Sequence, residues 1–136
     1  MSPKISREDT LEMIKDSTKY DHLLRVGKIM KCLAHILGQD EDEWELVGLL
    51  HDLDFDLTVT DCSHHGLVAT QLLETLLPEQ ALNAIRSHDY RTGVPATSLL
   101  TKVLISADAL DVFIGLLHEQ GVVLQVSTLL TELDNW

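Results

Sequence analysis

Basic residues are scarce in this sequence. It has 10 lysines and arginines against 22 aspartates and glutamates, which gives a formal net charge of −12. An electrostatic field of this sign repels the phosphate backbone of DNA and RNA. The sequence therefore predicts that no nucleic-acid polymer is a partner.

The chain also lacks paired cysteines and long apolar runs. Its two cysteines, Cys32 and Cys62, form no CxxC pair of the type found in zinc and redox sites. No apolar run approaches the roughly 20 residues of a membrane-spanning helix. The polar stretch "MSPKISREDT" lacks the apolar segment of a secretory signal. We therefore expect a cytoplasmic protein with reduced thiols and no membrane association.

Alternation of apolar and polar residues with period two is scarce, whereas helical spacing is found nearly everywhere. This pattern predicts an all-α fold, and the length suits a single domain over 1–136, a compact bundle of about six to seven helices. The spacing predicts helices after Ser6 and over about 20–37, 42–50, 64–77, 78–90 and 98–120, with 121–136 as a C-terminal helix or tail. The stretch 54–63 reads as polar and 91–97 as a loop. Helix 98–120 is apolar on almost every side, which predicts burial in the middle of the bundle.

Helical register separates the histidines that face the core from those that face solvent. A histidine on the apolar stripe of its helix needs a partner for its ring nitrogens. The inward positions are His22, His51, His65 and His88. His35 and His64 face outward. Asp108 lies inside "VLISADALDVFIGLL", where an unpaired carboxylate would cost several kcal/mol.

One metal centre accounts for these groups together. A lone inward histidine is satisfied by one hydrogen bond, but four of them with a His-Asp doublet and a distant aspartate indicate shared ligation. Imidazole nitrogen and carboxylate oxygen suit Mn, Fe, Ni, Zn or Mg, and the absence of inward cysteines argues against a thiolate site.

The order of these groups resembles the HD-domain superfamily of metal-dependent phosphohydrolases. The doublet alone is a weak motif, because the chain contains His51-Asp52 and also His88-Asp89. Its setting is more specific. The segments "YDHLLRVGKIMKCLA", "LVGLLHDLDF", "HGLVATQLLE", "AIRSHDY" and "VLISADALD" resemble successive segments of that superfamily. The resemblance covers about residues 20–117.

The resemblance implies a ligand set of one or two divalent metal ions. The residues implied for the first ion are His22, His51, Asp52 and Asp108. For a second ion they are His65 and His88, with Asp52 as a candidate bridge.

The resemblance also implies hydrolysis of a phosphate ester, with a nucleotide as one candidate substrate. A metal polarises the phosphoryl oxygen and activates water. Asp52, Asp54 and Asp111 are candidates to accept a proton or orient that water. Asp54 is open to three interpretations: a base, an outer support or a turn residue. The candidate cations for a small phosphorylated substrate are Arg25, Arg91 and Lys102.

Two other functions remain open at this point. Some superfamily members with six ligands of this kind are di-iron oxygenases. A non-catalytic sensing or interaction module that retains the metal for stability is the third reading. The pattern predicts no particular oligomeric state.

Overall fold

A computed structural model describes residues 2–122 and 125–135 of the protein, and in these ranges the fold is all α. The helices are α1 Arg7–Ile14, α2 Tyr20–Leu37, α3 Glu41–Leu50, α4 Phe55–Thr58, α5 Leu67–Leu73, α6 Glu79–Ser87, α7 Leu99–Glu119 and α8 Val126–Asp134. Single turns of 3-10 helix lie at Cys62–His64 and Tyr90–Thr92. The predicted all-α class is confirmed.

Local signals set several of the helix ends. The Ser6 hydroxyl accepts a hydrogen bond from Asp9 N and caps α1, as the sequence predicts. Gly38 ends α2 in the left-handed conformation, at φ 67°. Asp40 and Ser98 cap α3 and α7 by accepting from backbone amides of the first turn.

Helices α2 and α3 pack at unusually close range. A Cβ atom on Gly48 would lie 2.7 Å from the Cα atom of Gly27, so position 48 admits only hydrogen in place of a side chain. The two helices run antiparallel, because the start of α2 lies beside the end of α3. This packing brings His22 and His51 together.

The hydrophobic core lies between α1, α2, α3, α5, α6 and the first half of α7. Its largest fully buried side chains are Ile14, Leu23, Met30, Leu49, Leu50, Leu73, Ile85 and Leu104. Burial of side chains of this size is the main favourable contribution to folding, at roughly 1.5–3 kcal/mol each.

Three predicted boundaries are wrong. The polar stretch 54–63 contains α4 and the start of the 3-10 turn Cys62–His64, which Asp61 caps by accepting a hydrogen bond from Ser63 N. The helix predicted over 64–77 is shorter and spans Leu67–Leu73, since Gly66 at φ 88° interrupts the backbone before it. Helix α6 ends at Ser87, where the 3-10 turn Tyr90–Thr92 follows.

The prediction that helix 98–120 is buried on every side is also wrong. Only one face of α7 is buried, and it consists of Leu100, Thr101, Leu104, Ala107 and Asp111. On the opposite face Val112, Phe113 and Leu116 are 49%, 52% and 55% exposed. Apolar composition does not determine how many neighbours a helix has.

Within the segment 121–136, for which the sequence left a helix or a tail open, the structure has helix α8 at Val126–Asp134, and positions 123, 124 and 136 lie outside the described residues. Among the described residues, no helix combines the length and apolar character needed to cross a bilayer.

Candidate metal centre

The four inward histidines lie together at one end of the bundle. Their exposed fractions are 8% for His22, 0% for His51, 6% for His65 and 8% for His88. His35 and His64 are exposed, as their register predicts. His65 precedes α5 rather than lying on it, so its burial follows from the loop and not from the helical stripe.

Backbone carbonyls fix the orientation of two of these rings. His51 Nδ1 donates to the carbonyl of Gly48 at 2.7 Å, and His88 Nδ1 donates to the carbonyl of Ile85 at 2.5 Å. A carbonyl oxygen can only accept, so the neutral ring carries its proton on Nδ1. Nε2 is then free to bind a cation.

A carboxylate lies beside Nδ1 of each of the other two rings. His22 Nδ1 lies 2.7 Å from Asp111 Oδ2, and Arg25 Nε donates to Asp111 Oδ1 at 2.6 Å. His65 Nδ1 lies 3.0 Å from Asp54 Oδ1. All four histidines therefore direct Nε2 toward a common centre, the arrangement of metal-binding imidazoles with outer hydrogen-bond partners.

The first group of donor atoms comes from three helical segments. His22 Nε2 lies 2.9 Å from Asp108 Oδ1 and 3.4 Å from Asp52 Oδ2. His51 Nε2 lies 3.3 Å from Asp52 Oδ2 and 3.6 Å from Asp108 Oδ1. All four donor atoms lie within 4.8 Å of one another, which is close enough to surround one ion.

The second group shares a residue with the first. His65 Nε2 and His88 Nε2 lie 2.7 and 3.4 Å from Asp52 Oδ1, and 3.2 Å from each other. Asp52 thus turns Oδ2 toward the first group and Oδ1 toward the second. Asp52 would therefore contribute one oxygen to each group if each held an ion.

A buried atom without a partner shows that the first group fits a metal. His51 Nε2 is inaccessible to solvent and makes no hydrogen bond among the described residues. A polar atom left in this state costs about 1–3 kcal/mol. A cation held by this nitrogen with Asp52 and Asp108 would remove that cost. Mn, Fe, Ni, Zn and Mg all remain compatible with nitrogen and carboxylate donors.

The neighbouring aspartates raise the pKa of two of the histidines. Burial lowers the pKa of His22, but hydrogen bonds to Asp108, Asp52 and Asp111 outweigh it and raise the pKa to about 9. His65 behaves alike: burial lowers its pKa, and Asp52 and Asp54 raise it to about 9. Without a metal, protons occupy the places that a cation would take.

The opposite shift applies to the carboxylates. Burial raises the pKa of Asp52, but the charges and hydrogen bonds of His51, His22 and His65 hold it well below its usual range. Burial also raises the pKa of Asp108, but hydrogen bonds to His22 and His51 lower it below its usual range. Both groups are therefore ionised and available as ligands at neutral pH.

The loop that carries His65 depends on one glycine. Gly66 adopts φ 88°, and a Cβ atom there would lie 2.5 Å from the carbonyl of Ile85. No other residue fits that space. The close approach places His65 beside His88.

A cavity of about 450 Å³ opens over both donor groups. Lys19, Phe55 and Arg91 contribute to its walls. Lys19 Nζ lies 4.5 Å from the centre of the Phe55 ring, and that ring lies 6.0 Å from the ring of His65. Among the residues that the structure describes, Lys19 forms no close ion pair, although its charge helps to lower the pKa of the exposed Asp56 carboxyl.

The three cations predicted from the sequence lie in different places. Arg91 lines the cavity, but its guanidinium binds both oxygens of Asp89. Arg25 lies behind His22 and donates to Asp111 instead of facing the cavity. Lys102 is exposed on α7 and is absent from the cavity lining.

The candidate aspartates also separate by position. Asp111 is 5% exposed, lies behind His22 and is held by Arg25. Asp54 is fully buried, and its Oδ2 accepts hydrogen bonds from the amides of Gly66 and Ala69. Neither borders the cavity, whereas Asp52 and Asp108 do.

Sequence reasoning missed Lys19 and Thr58. The position of Lys19 three residues before His22 was the available signal, because it places both at the start of α2. Thr58 Oγ1 donates to the carbonyl of Asp54 and lies 3.2 Å from His65 Nδ1. No pattern in the sequence indicated the second contact, which depends on the turn formed by α4.

Comparison with known proteins places this arrangement in a family. The chain is 28% identical to ribonuclease Y of Lactobacillus acidophilus over 117 residues, which cover 82% of this chain but only 21% of that protein. A crystal structure from Clostridium acetobutylicum, of a predicted HD superfamily hydrolase involved in NAD metabolism, has the same fold, with a TM-score of 0.62 at 21% identity. The superposition covers 89% of this chain and 92% of the Clostridium chain. The HD domain family model matches residues 20–112, which include every donor of both groups. The chain therefore belongs to the HD domain family.

Proposed function

We propose that this chain is a metal-dependent phosphohydrolase that acts on a small phosphate ester or nucleotide. The position of Asp52 carries the proposal, because each of its oxygens faces one donor group on the floor of the cavity. Two ions held by these groups would supply the clamp used for hydrolysis at phosphorus. The names of the two relatives, a ribonuclease and a hydrolase of NAD metabolism, agree with phosphate-containing substrates.

The cavity suits a small substrate better than a polymer. Its volume of about 450 Å³ is in the range of small-molecule sites, roughly 300–1,000 Å³. The net charge of −12 opposes the approach of a polyanion. A substrate with few phosphate groups needs only the local positive charge of the site.

The position of each residue in the site indicates its role. His22, His51, Asp52 and Asp108 would hold one ion, and Asp52, His65 and His88 would hold the other. Bound metal supplies Lewis acidity toward the phosphoryl oxygen and lowers the pKa of water. Asp108, whose side chain is 31% exposed, is the donor carboxylate most open to the cavity and can orient the attacking water. Asp111 and Asp54 hold His22 and His65 in the orientation that leaves Nε2 free.

Release of inorganic phosphate tests the proposal. The purified protein, loaded separately with Mn, Ni, Fe, Zn or Mg, is offered a panel of phosphate esters and nucleotides. Hydrolysis is expected with at least one metal, and none is expected from the Asp52→Ala variant. If no metal supports phosphate release, and the iron-loaded protein consumes oxygen instead, the chain is an oxygenase and the proposal is wrong.

Lys19 supplies the positive charge for a non-reacting anionic group of the substrate. We expect Lys19→Gln to raise KM on the order of tenfold with little change in kcat, because one charge-assisted contact is lost in both the ground and transition states. Lys19→Arg should keep KM within about twofold of the wild type, since the charge remains. Steady-state kinetics on the best substrate provide the measurement.

Lys15→Gln is the matched control, because Lys15 lies in the same connection between α1 and α2, pairs with Glu12 and does not line the cavity. Its KM should equal that of the wild type. An unchanged KM in Lys19→Gln would mean that Lys19 does not contact the substrate.

A further inference from the structure

The exposed face of α7 carries apolar residues at the spacing of a coiled-coil seam. Ile105, Ala109, Val112 and Leu116 follow one another at intervals of four, three and four residues, and all four are exposed. Lys102 and Glu119 extend the same series by one step at each end. This alternation of three and four is the heptad pattern with which one helix packs against another. We call these six positions the α7 seam.

The α7 seam is unusual for a surface that remains in water. Ile105, Val112 and Leu116 are 37%, 49% and 55% exposed, and Phe113 on its flank is 52% exposed. Scattered apolar residues are normal on protein surfaces, but a contiguous patch of large ones marks an interaction site. The buried face of α7 is already used by the bundle, so the seam is a second, independent face.

We propose that the α7 seam is a homodimer interface, in which α7 of one copy packs antiparallel on α7 of a second copy. The sequence of the seam is complementary to itself in this orientation. About a two-fold axis between positions 110 and 111, Ala109 lies opposite Val112 of the other copy and Ile105 opposite Leu116. Lys102 then lies opposite Glu119.

Three features of this pairing favour a second copy as the partner. Every layer of the antiparallel pair matches an apolar residue with an apolar residue, or a lysine with a glutamate. A two-fold axis repeats each favourable pair, as an isologous interface requires. Small Ala109 opposite Val112 allows close approach at the centre of the seam, where the helices cross.

The pairing also has a consequence for the cavity. Val112 contributes both to the α7 seam and to the cavity wall. The second copy therefore lies beside the cavity mouth and narrows it on the side of α7. The dimer itself does not depend on the proposed function, since it rests on the seam alone.

Charge reversal tests the antiparallel register. Sedimentation velocity of the full chain over a concentration series gives the dimer dissociation constant. Lys102→Glu and Glu119→Lys should each weaken the dimer about tenfold, because each creates two like-charge pairs. An equimolar mixture of the two variants should restore dimerisation, since the heterodimer again matches unlike charges at both ends. Leu116→Glu, which places charge in an apolar layer, should give a monomer.

Lys28→Glu, which makes the same change of charge on the exposed face of α2, is the matched control and should dimerise like the wild type. Circular dichroism verifies that each variant is folded. A wild-type protein that stays monomeric at high concentration would overturn the proposal, and would mean that the seam is covered within the chain or by another protein. A dimer that neither reversal weakens, or that the mixture does not restore, would overturn the register.

Discussion

An Asp52→Ala variant is expected to bind neither of the two proposed metal ions, whereas His51→Ala and His65→Ala should each lose only one. Asp52 is the residue common to both donor groups, with Oδ2 facing His51 at 3.3 Å and Oδ1 facing His65 at 2.7 Å. Metal content per chain, measured after dialysis by plasma mass spectrometry, should fall from two to near zero in Asp52→Ala. Phosphohydrolase activity should fall on the order of a thousandfold or more, because metal ions contribute several kcal/mol to transition-state stabilisation.

The Asp52→Asn variant refines this prediction, since it preserves the volume of the side chain. An amide presents one oxygen and one nitrogen donor, so it can ligate on one side only. We expect Asp52→Asn to retain at most one ion. This result would separate the loss of a bridge from a general loss of structure.

His64→Ala is the matched control for the histidine variants. His64 precedes His65 directly but is exposed, and its Nδ1 atom lies 2.8 Å from Asp61 rather than near the site. Its metal content should equal that of the wild type. Equal loss of both ions in His51→Ala and His65→Ala would contradict two separate groups and indicate one ion shared by all the donors.

The long helices could be predicted from the sequence because their signals are local. Helix α2 shows a regular apolar stripe and ends at Gly38, and both features follow from residues within a few positions of one another. The same stripe places His22 toward the core. His51 follows Trp44 and Val47 at helical spacing on the apolar side of α3, so its inward direction could also be inferred.

The environment of His65 could not be predicted in this way. Its position depends on the left-handed backbone of Gly66 and on the approach of Ile85, which lies 19 residues further along the chain. The helix predicted to begin at His64 gave the correct inward side for His65, although Leu72, seven residues further along and on the same side of such a helix, is 55% exposed. Contacts between distant segments, rather than helical periodicity, determine which side of this segment is buried.

Helix α7 shows the complementary difficulty. Its sequence is apolar around most of its circumference, which is equally compatible with a central helix and with a helix that has one face in the bundle and another on a partner. The structure shows that the bundle uses only the face of Leu104 and Ala107. The hydrophobic pattern predicts that a helix face is buried, but not whether the same chain or a partner molecule buries it.

The position of Asp54 leads to the second large prediction. Its carboxylate is fully buried, makes no capping hydrogen bond to α4 and accepts from the amides of Gly66 and Ala69 at 2.7 and 2.9 Å. Asp54→Ala leaves both amides buried without acceptors. We expect the free energy of unfolding to fall by about 2–4 kcal/mol, measured by urea denaturation of the metal-free protein. Asp42→Ala, at a side chain that is 90% exposed, is the control and should be close to neutral.

Asp54→Asn tests whether this aspartate also positions a ligand. The amide oxygen can still accept from Gly66 and Ala69, but its NH2 group then faces His65 Nδ1 and donates to it. The proton of the neutral His65 ring moves to Nε2, the atom that lies 2.7 Å from Asp52 and would ligate the second ion. We therefore expect a folded variant whose affinity for the second ion is about 10–100-fold lower, with the first ion retained. Calorimetric titration measures the affinity, and the ¹⁵N chemical shifts of His65 report the tautomer. Unchanged affinity with an unchanged tautomer would reduce Asp54 to a purely structural role, because the same amides would still be satisfied.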